Sequence, residues 1–267
     1  MKLNKFQIVL CVFFIALTIF WIILNFFINT TTGFYNYLFS FLLSLIPFLA
    51  GFLNMFFAKA WGWFKSSIGR AVFFISLGSF SWGCGEIIWS YYNFFQNISA
   101  PYPSFADIGF LLAIVFWVLG ISNLFRASGA SASLMKKSGK YSLVTIPIIV
   151  IILSYYLLVH VARGGDITTD FNGYLKLFFD LAYPIGDVVI LSFVLVISSL
   201  SLDYLGGKYK PVIILLLLGF SLMYFADFVF SYTTTVETFY NGNLGDLLFA
   251  SALFLISLGS LGFKPED

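Results

Sequence analysis

Charge is what this chain has least of. Only 10% of its 267 residues are Asp, Glu, Lys or Arg, against 60% that are hydrophobic, and the mean hydropathy is +0.97. A soluble domain has no interior large enough to hide that share of apolar surface, so the composition requires lipid as its solvent. A single histidine, His160, stands in the whole sequence. Haem ligation by a histidine pair and zinc hydrolysis on three histidines are thereby excluded. The two cysteines, Cys11 and Cys84, fall inside apolar runs and read as small core side chains rather than a disulfide. No lysine lies deep in an apolar segment, which removes a retinal Schiff base, and no P-loop, GxGxxG or GxSxG occurs. We therefore expect no cofactor, and the sequence assigns no metal.

Long apolar runs are what the chain does have. A helix crossing the hydrocarbon layer needs about 20 apolar residues. Eight stretches qualify: roughly 6–28, 35–59, 70–94, 105–125, 142–162, 172–202, 211–232 and 244–263. The first follows Lys2 and Lys5 as a signal peptide would, but it stays apolar too long and lacks a small-x-small cleavage site, so it reads as a retained helix. Eight crossings put both termini on one face. That face gathers 12 of the 14 basic residues and leaves Arg163 and Lys176 for the other. Basic residues stay cytoplasmic, so both termini are expected in the cytoplasm of a multi-pass cell-membrane protein. Nine of the 12 acids sort to the opposite, outer side. Short basic loops suit lipid headgroups, the expected partner, and nothing points to nucleic acid.

The chain also reads as an internal duplication. "LGSFSWGCGEIIWSYY" (77–92) aligns without a gap on "LGFSLMYFADFVFSYT" (218–233). Gly78 then falls on Gly219, Glu86 on Asp227 and Trp89 on Phe230, while downstream Asp107 matches Asp246 and Gly120 matches Gly259. Pro47 and Pro184 match upstream, with offsets of 137, 139 and 141 residues along the chain. The expected architecture is all-α, with two four-helix halves, 1–138 and 139–267, in one membrane domain. An even number of spans per half makes the repeats parallel.

Acids in lipid are costly, about 2.5–3.5 kcal/mol at a helix centre, and face a bundle interior or a wet cavity. Glu86 and Asp227 each lie 16 residues beyond Arg70 and Pro211, about 24 Å up their helices. Trp82, Glu86 and Trp89 follow i, i+4, i+7 spacing on one face. Aromatic walls around an anion suit a cation, and Tyr224, one turn before Asp227, joins that set of walls. Trp and Tyr are also enriched at every membrane interface, which is the plainer reading of the flanking aromatics. Asp107 follows Ser104 by three residues in "PYPSFAD", and Asp246 follows Asn243 in "NLGD", so both read as capping-box acids at a cavity rim. In "NGYLKLFFDLAYPIGDVVILSFVLVISSLSL" (172–202) a continuous helix kinked at Pro184 would bury Asp180 and Asp187 beside the other acids.

"WGCGEIIWSYY" followed by "PYPSFAD" and an apolar helix resembles the membrane-embedded N-terminal sensory regions of bacterial and archaeal signalling proteins, diguanylate cyclases and histidine kinases among them. There, W-x3-E-x2-W and PYPS-x-AD elements precede a cytoplasmic output domain. The resemblance covers about 30 residues and implies a sensory role for Trp82, Glu86, Trp89, Pro103 and Asp107. Here the chain stops soon after the eighth apolar stretch, so signalling would pass through a cytoplasmic or membrane partner.

The leading expectation is thus a non-enzymatic sensory or ligand-binding module. Glu86, Asp227 and Asp187 would line an outward-open cavity between the halves, with Glu86 and Asp227 meeting there. The same acids would serve a cation- or proton-coupled transporter or channel, and acids acting only as helix–helix glue make a third reading. An intramembrane aspartyl protease, suggested by "PIGD" and "NLGD", lacks the first glycine of the GxGD pattern in both places.

Overall fold

The computed structural model describes residues 3–96, 98, 100–128, 137–161, 174–201 and 209–264, with the backbone alone at 137–138, 174–177, 180 and 201. Every regular element among them is helical. In chain order they are α1 (Lys5–Ile23), α2 (Phe34–Phe57), α3 (Ser67–Phe95), α4 (Phe105–Ala127), α5 (Lys137–Tyr155), α6 (Tyr174–Ser201), α7 (Lys210–Thr235) and α8 (Leu244–Leu261). Wide π-helical turns, Leu24–Ile28 and Tyr156–Val161, extend α1 and α5, and 3-10 turns at Ala58–Trp61 and Trp63–Lys65 follow α2. All eight helices are long and apolar enough to cross a bilayer.

Local chemistry fixes the helix starts. Asn4 and Gln7 close a capping box on α1, the Ser66 side chain accepts from the Gly69 amide to start α3, and Ser104 with Asp107 caps α4. Backbone donors satisfied in this way need no water, which a lipid-facing segment cannot supply. α6 continues unbroken through Pro184. The side chains of Lys176 and Asp180, with Arg163 and with Asn97 and Ser99, which together with Ile98 spell an N-glycosylation sequence, lie outside the described residues.

Long-range hydrogen bonds define the two ends of the bundle. At one end the start of α1 meets the end of α8: Asn4 Nδ2 donates to the Leu261 carbonyl at 2.8 Å and Gln7 Nε2 to the Leu258 carbonyl at 2.9 Å. Trp61 Nε1 donates there to the Phe263 carbonyl, and Tyr209 stacks on Phe263. Both termini therefore share an end. At the other end Trp21 Nε1 donates to the Asn243 carbonyl and Asn25 Nδ2 to the Gly242 carbonyl.

Between the ends the helices approach through small residues, as packing without a solvent-driven hydrophobic effect favours. A Cβ on Gly109 of α4 would fall 2.7 Å from the Gly85 Cα of α3. Gly78 of α3 accepts the Trp117 ring of α4, and Gly120 of α4 accepts Ile75 of α3. The pair α7–α8 interlocks likewise, Gly219 against Ile256 and Gly259 against Leu216. α5 stands at the periphery and presents Ile148, Ile149, Ile151 and Ile152 outward, a face suited to lipid tails.

Candidate functional site

Five carboxyl groups face one cavity of about 550 Å³. Its walls include residues of the loops that follow α1, α3 and α7, so it sits at the end of the bundle opposite the termini.

Glu86 comes from the middle of α3. Its Oε1 accepts from the Ser40 hydroxyl of α2 at 2.5 Å, and it lies within electrostatic range of Asp246. Asp246 stands in the first turn of α8, only 7% exposed, and its Oδ2 accepts from the Gly242 amide at 2.6 Å. This differs from the expected capping box, in which the carboxylate would accept from Asn243. The chain reaches α8 through Gly242 at φ +85°, and it is the amide of this turn that donates to Asp246. The Asn243 side chain keeps its capping role by accepting from the Asp246 amide at 3.1 Å.

Asp107 does form the expected box, Oδ2 accepting from the Ser104 amide at 2.6 Å. Its other oxygen, Oδ1, accepts from the Tyr183 hydroxyl of α6 at 2.7 Å. The residue is thus both a helix cap and, at 6% exposure, part of the cavity wall. One turn further along α6, Asp187 is hydrogen-bonded through its carboxyl group to that of Asp227 on α7. Tyr224 is also buried beside the cavity, its hydroxyl 2.7 Å from Ser154 Oγ of α5.

Aromatic rings complete the enclosure in two layers. Toward the termini, Trp82 packs on Phe110 and Phe249 with centroids at 5.3 and 5.7 Å, and Trp117 meets Phe220 edge-on at 5.5 Å. Toward the loops, Trp89 meets Phe230 at 6.5 Å and Phe239 at 6.3 Å, and its Nε1 donates to Asn241 Oδ1 at 3.0 Å. The carboxyls lie between those layers. Among the described lining residues there is no Lys, Arg or His. The acids do not converge on a point either: no three of the described His, Cys, Asp and Glu side chains could hold one metal ion.

Every ligand residue expected from the sequence whose side chain is described lines this cavity: Glu86, Asp227, Asp187, Trp82, Trp89 and Tyr224. The pairing differs from the expectation. Glu86 and Asp227 face the same space, but the carboxyl neighbour of Glu86 is Asp246 and that of Asp227 is Asp187. Lateral placement permits both pairings, since α8 stands beside α2 and α3, and α6 beside α7. Asp187 and Asp246, the aspartates of "PIGD" and "NLGD", thus have different carboxyl neighbours. Sequence reasoning missed Ser40, Tyr183 and Asn241. Tyr183 carried a signal, since it directly precedes the in-helix Pro184 one turn before Asp187. No protein-family model matches the chain, and neither a curated protein nor a solved structure matches it.

Proposed function

We propose that the protein is a non-enzymatic sensory or ligand-binding membrane module whose outward-facing cavity takes a cationic ligand. One observation carries the reading: five carboxyl groups and two layers of aromatic rings surround a space with no described basic side chain on its walls. Carboxylates withdrawn from water need compensating positive charge, and aromatic faces attract cations at close range. A cavity of this volume falls within the range of small-molecule pockets. The resemblance of "WGCGEIIWSYY" and "PYPSFAD" to sensory regions supports signalling as the output, through a cytoplasmic or membrane partner. Outward orientation rests on the basic residues, because the described Lys and Arg side chains belong to the end that holds the termini.

Two four-helix halves related by a two-fold axis along the membrane normal fit this site. The reciprocal contacts Gly78–Trp117 and Gly120–Ile75 in one half have counterparts at the matched positions, Gly219–Ile256 and Gly259–Leu216, in the other. Trp89 and Phe230, themselves matched, meet across the midline.

A second reading, a cation- or proton-coupled transporter, is favoured by the Asp187–Asp227 contact, since a hydrogen bond between two carboxyl groups holds an exchangeable proton. Thermal unfolding of the purified protein in tetraethylammonium or alkylammonium salts, against sodium chloride of equal ionic strength, tests the site. A ligand at 100 times its Kd stabilises the folded state by about 2.7 kcal/mol. Wild type should gain stability and Glu86→Gln and Asp227→Asn should gain less. If all three unfold alike in every salt, the acids serve only to hold helices together. Flux of the bound cation across sealed proteoliposomes would establish the transporter instead.

A further inference from the structure

The carboxyl groups of the cavity form two poles rather than one. Glu86 and Asp246 make the first, on the side of α2, α3 and α8, where Ser40 and the Gly242 amide supply hydrogen bonds. Asp187 and Asp227 make the second, on the side of α6 and α7, and Tyr183 links it to Asp107 on α4. Asp187 is 9% exposed and lines the cavity, and its carboxyl group is paired with that of Asp227. The cavity wall they share is aromatic: Phe230 packs on Phe249 at 6.2 Å, and Phe249 on Trp82 at 5.7 Å.

A monovalent ammonium ion would pair with the carboxyl groups of one pole alone. A metal ion requires converging oxygens, which these acids do not provide. A cation with charge at both ends and methylene groups between them satisfies both poles and lays its apolar middle on the rings.

We infer that the cavity binds an elongated dication of the aliphatic diamine class, one ammonium group at Glu86 and Asp246 and the other at Asp187 and Asp227, its methylene chain on Trp82, Phe249 and Phe230. This rests on the cation-binding reading above and goes beyond it in specifying two charges rather than one.

The test titrates the full-length protein in lipid nanodiscs with putrescine, cadaverine and hexamethylenediamine. Butylamine, pentylamine and hexylamine are run beside them at equal ionic strength, with the fluorescence of the cavity tryptophans as readout. The best diamine should bind about tenfold or more tightly than the monoamine of equal chain length, since the second ammonium adds a charge-assisted hydrogen bond. Affinity should pass through an optimum with chain length, because the poles are fixed. Glu86→Gln and Asp187→Asn should each bring diamine affinity down to the monoamine level. Equal affinity for mono- and diamines overturns the two-pole inference and leaves the single-cation site standing. No binding by any amine overturns both. If a variant does not fold, the wild-type series decides alone.

Discussion

Replacing Gly109 by alanine probes a close backbone-to-backbone helix crossing beside the cavity. The added methyl would sit 2.7 Å from both the Cα and the amide nitrogen of Gly85 and 2.8 Å from the Ser81 carbonyl oxygen. Non-bonded carbon atoms rest at about 3.5–4.0 Å, so α4 must withdraw from α3 by roughly 1 Å. All three obstructing atoms belong to backbone, and no side-chain rotation can relieve the overlap. Overpacking of this kind costs about 1–3 kcal/mol. At about 2–4 °C per kcal/mol for a chain of this size, the unfolding midpoint should fall by about 2–12 °C. The same displacement shifts Asp107 relative to Tyr183 of α6 and should weaken cation binding. The control is Val115→Ala on the exposed side of α4, where the change should stay within about 0.5 kcal/mol. A differential unfolding scan of the two proteins gives the answer. If Gly109→Ala melts no lower than Val115→Ala, the crossing is not as tight as described and the argument from helix approach fails.

Two further outcomes follow from the geometry. Tyr183→Phe removes the hydroxyl that donates to Asp107 at 2.7 Å and should destabilise by about 1–3 kcal/mol, because a buried acceptor loses its partner. Tyr155→Phe on the exposed face of α5 should have almost no effect, and equal midpoints for the two would refute the assignment. Orientation is tested in a chain freed of Cys11 and Cys84. A membrane-impermeant maleimide should label Ala100→Cys from outside intact cells and Lys65→Cys only after permeabilisation, and the reverse pattern would invert the topology.

Much of this fold was legible because lipid imposes simple rules. Each apolar run had to become a helix, and the eight helices fall where those runs lie. Glu86, Asp187 and Asp227 could be singled out because an acid surrounded by Phe, Ile and Trp needs a reason to be there. The Ser104–Asp107 box was equally plain, since a capping box closes within four residues. What stayed hidden depends on lateral packing. That Ser40 would donate to Glu86, or that Asn241 would accept from Trp89, is decided by which helices stand side by side, and hydropathy carries no information on that. Asn243–Asp246 shows the limit at short range: the residue types fit the box, but the left-handed turn at Gly242 offered the carboxylate a different amide.

The first and last helices are fastened to each other at both extremities, by Asn4 and Gln7 at one rim and by Trp21 and Asn25 at the other. Two rods pinned twice tilt together. α8 runs about 27 Å, the length of an 18-residue helix, from the cavity to the rim where Asn4 and Gln7 hold it. Under the sensory reading proposed above, a partner docking on that rim would meet the ends of both pinned helices at once.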